Sequence, residues 1–249
     1  MTTIDEVIEK LDEIVQICKE EGCRAGYFAV LYRHVTKRIK AGIQNSEFED
    51  NPRMEKLDVL FAIRYIEAFE AYRNGQPLTQ SWKNAFEAAE SSKLVVMQHL
   101  LLGINAHINL DLGIAASQTV SGGNLANLKN DFDLINTILS SLVDGVKANI
   151  SKISLLFGWL IKLAKGNDEM LLNFSIGVAR DGAWKFAGEY HLSSNQDQEI
   201  QMRDTKIAAI ANGLVNTGKW LTFLLAIIRF FEFRSDTRNM EILENIVED

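Results

Sequence analysis

Gly103-Ile-Asn-Ala-His-Ile-Asn-Leu-Asp-Leu-Gly113 places polar chemistry inside what its flanks read as a buried helix. From Leu94 to Ala116 the chain is nearly all apolar, yet this stretch carries Gln98, His99, Asn105, His107, Asn109 and Asp111. Burying such groups is costly unless each finds a partner or a ligand. At about 100° per residue, His99, Gly103, His107 and Asp111 fall within one third of the circumference, and Gln98, Asn105 and Asn109 fall on nearly the opposite side. A helix polar on two faces and apolar between them suits a central position, surrounded by other helices.

The rest of the chain repeats helical spacing. A first helix starts at about Thr3, where Thr3 and Glu6 form a capping box, carries Ile4, Val7, Leu11, Ile14 and Cys18 as its apolar stripe, and is closed by Gly22. A second runs from about Arg24 to Ile43. The third starts near Pro52 and ends by Gly75, and a short fourth carries Trp82 and Phe86. After the central helix, Ser117 to Asn124 reads as a loop. Further helices are expected over Phe132–Val146, Ile150–Lys165, Asp168–Tyr190 and Asp197–Phe233, the last broken near Asn216-Thr-Gly218. A tail helix follows Ser235-Asp236 and carries Met240, Leu243 and Ile246. No segment alternates long enough for a strand. The expectation is an all-α fold, one domain over 1–249, built as a multi-helix bundle around a buried, polar-striped central helix.

Composition narrows the function. The 249 residues are 47% hydrophobic, enough for a core, and the formal net charge of -7 speaks against nucleic acid or an anionic membrane as the main partner. The two cysteines, Cys18 and Cys23, lack the second pair of a zinc ribbon and read as free thiols in a reducing compartment. The acidic, amphipathic start is wrong for a signal peptide. Leu94–Ala116 carries too many polar groups for a membrane span, and Trp220–Phe231 is too short. A cytoplasmic protein without a transmembrane segment is expected. No nucleophile elbow, phosphate loop, dinucleotide fingerprint or His-Glu-x-x-His motif occurs.

Several residues are candidates for chemistry. His107 and Asp111 are four apart, so their side chains can meet or converge on one divalent ion such as zinc. Asp58 interrupts the apolar stripe of the third helix and reads as a further ligand, as a general base with a raised pKa, or as half of a salt bridge to Arg33 or Arg64. His34, in Leu31-Tyr-Arg-His-Val-Thr36, offers a fourth metal ligand. Asp58 and His107 are the catalytic candidates. Arg180 and Trp184 share a helix face, where guanidinium and indole can stack while the free donors hold an anion. His191 lies near a helix end and reads as a partner of terminal carbonyls.

Tyr32-Arg-His-Val-Thr36, Leu57-Asp-Val-Leu-Phe-Ala62 with Tyr65, the Gly103–Leu112 stretch and Arg180-x-x-Ala-Trp184 together resemble a family of helical bacterial proteins of unknown function. That family carries an Asn-Ala-His-Ile-Asn signature followed by Asp-Leu, and the resemblance spans Arg24 to Trp184. It implies Tyr32, Asn105, Arg180 and Trp184 as ligand-binding positions beside Asp58, His107 and Asp111. Leu110 stands where relatives have another histidine, and His34 where they have other residues, so the resemblance points to no histidine-rich cluster. Zinc phospholipases C and related helical nucleases also use His-x-x-x-Asp pairs on helices, but they are exported and hold many more than the four histidines here.

Two readings follow. One is a non-catalytic helical protein in which His107, Asp111, Asn105 and Asp58 form a buried network or line a small-ligand pocket. The other is a metal-dependent hydrolase, phosphoesterase-like, whose ion is held by His107, Asp111, Asp58 and His34 and activates a water.

Overall fold

In the computed structural model, which describes residues 1–154, 176–232 and 234–245, the helical spacing of the sequence becomes helices, with no strand among those residues. α1 (Ile4–Glu21) begins with the expected capping box: the Thr3 hydroxyl accepts from Glu6 N–H, and the Glu6 carboxylate accepts from Thr3 N–H. It ends at Gly22, whose φ of 65° is the left-handed conformation that glycine adopts at least cost. α2 (Gly26–Gln44), α3 (Asn51–Arg73) and α4 (Gln80–Ala89) follow, α3 opening on an Asp50 cap with Pro52 in its first turn. The central helix comes next as α5 (Val96–Ala106), a wide turn (His107–Asp111) and α6 (Leu112–Thr119). A 3-10 turn (Leu125–Leu128) leads to α7 (Lys129–Ile153), then α8 (Ile176–Leu192), α9 (Gln196–Val215), α10 (Lys219–Phe231) and α11 (Asp236–Glu244), the last capped by Ser235.

The central helix is enclosed as its two polar faces imply. α2, α4 and α9 pack against α5, while α3 and α8 pack against the wide turn and α6. Val96–Thr119 is long and apolar enough to cross a membrane, but 94% of its apolar window is buried inside the protein. α9 and α10 meet at a 68° bend over Asn216 to Gly218, where the sequence predicts a break. Trp220, Phe223 and Phe230 stand exposed on the outer face of α10.

Among the boundaries that differ from expectation, two have a physical cause in the sequence. α7 runs unbroken through Val146 to Ile153, where a gap between two helices was expected. It contains no proline, and its one glycine, Gly145, costs a helix only about 1 kcal/mol. The central helix continues to Thr119, three residues past its expected end, because its late hydroxyls find partners: Thr119 Oγ1 donates to Ala115 O at 2.7 Å and Ser117 Oγ meets His191 Nδ1 at 3.2 Å. His191 thus pairs with a side chain and not with helix-end carbonyls. The parts of the expected helices over 155–175, and Ile246 of the tail, lie outside the described residues.

Small residues let the elements around the motif approach closely. A Cβ built on Gly103 would sit 2.4 Å from Cγ of Phe28, and one on Gly113 would sit 2.7 Å from Phe186 Cδ1 and 2.8 Å from the Ala183 carbonyl. At Gly113 the obstacle is backbone, so relief requires α6 and α8 to separate. Gly113→Ala is therefore expected to destabilise by about 1–3 kcal/mol, the range for overpacking a close-packed core. A thermal melt matching the parent's would contradict this packing.

Candidate functional site

The motif does not follow a regular α-helix. Leu112 N–H bonds to His107 O, an i to i+5 link that widens the turn by one residue. Widening disturbs the backbone ladder, and the side chains of neighbouring helices make up the difference. Arg203 of α9 donates from Nε to Asn109 O at 2.8 Å. Along the same seam Gln98 Nε2 donates to Leu214 O at 2.8 Å and Asn105 Nδ2 to Ile207 O at 3.0 Å. Asn109 Nδ2 completes it by donating to Asn105 Oδ1 at 3.1 Å. One polar face of the central helix is thus the glue that fixes α9. Asn105, a ligand-binding candidate in the sequence, has its amide committed to this structural role.

The other face carries His107 and Asp111. The Asp111 carboxylate is buried and fully engaged: Oδ1 accepts from Arg64 Nε at 2.7 Å, and Oδ2 accepts from Trp82 Nε1 at 2.8 Å and meets His107 Nδ1 at 3.2 Å. Burial works against its ionisation, but Arg64, His107 and Trp82 outweigh it and hold the carboxyl below its ordinary range. Burial pushes the His107 pKa down, against the pull of Asp111, so the ring is neutral at pH 7. With an ionised Asp111 at Nδ1, the network places the single ring proton there and leaves Nε2 as a bare acceptor.

His107 sits in an aromatic box. Phe61 stacks on it at 3.5 Å between ring centroids and 7° between planes, and Tyr32 meets it edge-on at 4.4 Å. Beyond the ring lies a cavity of about 260 Å³ walled by apolar side chains such as Leu31, Val35, Met97, Ile104 and Leu139. Four polar side chains named by the sequence, Tyr32, Asp58, His107 and Arg180, also line it. Among the described residues, Tyr32 Oη, Asp58 Oδ2 and His107 Nε2 are buried without a hydrogen-bond partner. Burial, helped by the nearby Asp58, pushes the Tyr32 hydroxyl well above its ordinary pKa. Burial and the charge of Glu55 push Asp58 up to about 7. The alternative reading of Asp58 as a salt bridge fails, because Arg33 pairs with Asp12 and Glu244, and Arg64 with Asp111.

The four-ligand metal set does not assemble. Among the described residues no group of three His, Cys, Asp or Glu side chains converges as an ion cage requires. Both Asp111 oxygens are spent on protein donors, and Asp111 does not line the cavity that Asp58 faces. His34 lies half-buried on α2 and is not part of the cavity wall. His99 stays apart too, packing against Tyr27 at 5.8 Å.

The Arg180–Trp184 pairing is also corrected. The Arg180 guanidinium lies 4.3 Å from the Phe132 ring centroid and donates to Phe132 O, while Trp184 packs on Phe132 at 4.9 Å and carries Lys129 above its ring. Arg180 remains at the cavity edge; Trp184 belongs to the packing of α7 on α8. Phe61, Arg64, Trp82 and Arg203 complete the site and were not singled out as site residues in the sequence. Phe61 and Trp82 read there as ordinary core stripe, and helical spacing cannot reveal an indole N–H aimed at a carboxylate on another helix.

The chain belongs to a family of unknown function, DUF5995, whose model matches residues 4–217. No curated protein and no solved structure matches it.

Proposed function

We infer that the protein binds a small apolar molecule in the cavity beside His107. The observation that carries this reading is an apolar cavity of about 260 Å³ whose lining includes Tyr32, Asp58 and His107, each with a buried side-chain atom that makes no hydrogen bond among the described residues. Unpaired polar atoms inside a protein are costly, and a pocket with a few converging polar groups is the usual form of a small-molecule site. By comparison with a ~150 Å³ cavity that holds benzene, the space suits a ligand of roughly ten non-hydrogen atoms. The metal-dependent hydrolase finds no support in this geometry, since the motif carboxylate is bound by protein donors. A cytoplasmic location remains part of the proposal, and the free thiols of Cys18 and Cys23 fit it.

The test is binding of naphthalene, a fluorescent apolar probe of ten non-hydrogen atoms. Saturable binding to the parent is expected, with loss on Ile104→Trp, which fills the cavity. The exposed aromatic face of α10 offers the probe a surface of its own, so the variant is the deciding arm. Equal binding to both proteins would overturn the reading.

A further inference from the structure

We propose that the cavity takes a medium-chain monocarboxylate, whose hydrocarbon tail lies along α7 and whose carboxylate pairs with Arg180. The inference rests on the small-molecule reading above and adds the chemical class of the ligand.

The argument starts at a cation that the packing leaves unbalanced. Arg180 is 2% exposed, and its polar contacts among the described residues are a hydrogen bond to Phe132 O and the face of the Phe132 ring. A guanidinium offers five N–H donors, so most of them are unused. Burial pushes its pKa down to about 10, which still leaves it charged at pH 7. The carboxylates whose charge it feels, Asp133 and Asp181, are exposed, and Asp133 is held by Lys129. A buried cation without a paired anion is costly. The group is also open to the cavity that it lines. Its Nε is closed off, but Nη1, which makes no hydrogen bond among the described residues, keeps part of the exposed surface.

The shape of the lining asks for a chain. Ile135, Leu139, Leu142, Val146 and Ile150 of α7 all face the cavity, a strip about 22 Å long at 1.5 Å per residue. An extended alkyl tail follows such a strip better than a compact ring. Arg180 sits near one end, where its guanidinium rests on Phe132, one turn before Ile135. Charge then selects the head group. An ammonium would be repelled, and a neutral head leaves the guanidinium unbalanced. A phosphate monoester carries nearly two charges at pH 7, and Arg180 is the one buried cation among the described lining residues, Lys147 being exposed. A single carboxylate matches it and makes the charge-assisted hydrogen bond that guanidinium favours. Asp58, the one carboxyl among those residues, is pushed up to about 7 and opposes an anion little below that pH.

The experiment measures displacement of naphthalene from the protein by octanoate and by methyl heptanoate, the neutral isomer of its acid. It is run at pH 6, where octanoate is ionised and Asp58 is mostly neutral. The parent is expected to bind octanoate about tenfold more tightly, equivalent to about 1.4 kcal/mol. Arg180→Met puts an unbranched apolar side chain in place of the guanidinium and is expected to abolish that preference. Lys147→Met is expected to keep it. If Arg180→Met does not fold, carbon-13 spectra of carboxyl-labelled octanoate on the parent decide. At pH 5, within the titration range of an aliphatic carboxyl, the bound carboxyl should be more ionised than the free one, because a paired cation favours the charged form. A carboxyl lodged in hydrocarbon without a cation would be less ionised. Four results overturn the proposal while the pocket stands: equal affinity for the two isomers, displacement by neither, a preference that survives Arg180→Met or is lost in Lys147→Met, and a bound carboxyl less ionised than the free one. Failure of naphthalene to distinguish Ile104→Trp from the parent removes the pocket itself.

Discussion

Asp111→Ala is expected to cost about 3–5 kcal/mol, enough to unfold a marginally stable domain at physiological temperature. The magnitude follows from what the carboxylate balances. It is buried, and it neutralises Arg64 while satisfying the indole N–H of Trp82 and the imidazole N–H of His107. Removing it leaves a partly buried cation and two donors with nothing to accept from them, and it strands α3 and α4 from the central helix together. The comparison variants grade the claim. Trp82→Phe removes one donor and leaves the ion pair, so about 1–2 kcal/mol is expected. His107→Phe likewise leaves Asp111 with two partners and should fall well short of Asp111→Ala. The contribution also has a pH signature. Because the folded-state pKa of Asp111 is depressed, its stabilisation is fully present above the unfolded-state value near 4 and is lost as pH falls through and below it. Urea melts of the three variants at pH 7 and pH 3.5 check the order. Asp111→Ala no worse than His107→Phe at pH 7 would show that the ion pair with Arg64 contributes little.

The sequence carried the fold and half of the site, and the division has a physical cause. Periodicity is local, so the Thr3–Glu6 capping box, the Gly22 stop and the break near Asn216 to Gly218 could all be read from neighbouring residues and agree with the structure. The two polar faces of the central helix were legible for the same reason. What each face does was not, because its partners are long-range: Leu214, Ile207 and Arg203 on α9 for one, Arg64 and Trp82 on α3 and α4 for the other. His-x-x-x-Asp spacing is equally compatible with an ion and with an internal hydrogen bond. Only Arg64 Nε at 2.7 Å, already occupying the carboxylate, decides against the ion. The wide turn at His107–Asp111 was invisible as well. An i to i+5 link is favoured by no residue type here, but by Arg203 supplying a donor to the Asn109 carbonyl from another helix. Asp58 lay at the limit of legibility. Its place in an apolar stripe announced an anomaly, yet the lack of a cation beside it among the described residues could be known only from the packed structure.

That isolation gives the second large effect. Asp58→Asn is expected to stabilise the protein at alkaline pH by up to about 4 kcal/mol, an unusual sign for a buried substitution. The carboxyl is 6% exposed and makes no hydrogen bond or ion pair among the described residues, and burial with the charge of Glu55 pushes its pKa up to about 7. The folded state therefore holds a proton that the unfolded chain, titrating near 4, releases. Stability is greatest below about pH 4, falls as pH rises toward 7, and levels off above the folded-state value. An asparagine of the same shape never ionises, so its curve lacks this slope. Glu232 is also buried and also pushed up to about 7, which gives the parent a second slope of the same sign. The difference between parent and Asp58→Asn, measured by urea denaturation at pH 5, 7 and 8.5, cancels that contribution and isolates Asp58. About a third of the difference should already be present at pH 5, most of it at pH 7 and the full value by pH 8.5. A constant difference across the range, or a variant weaker than the parent at pH 8.5, would mean that Asp58 is ionised and compensated in the folded protein.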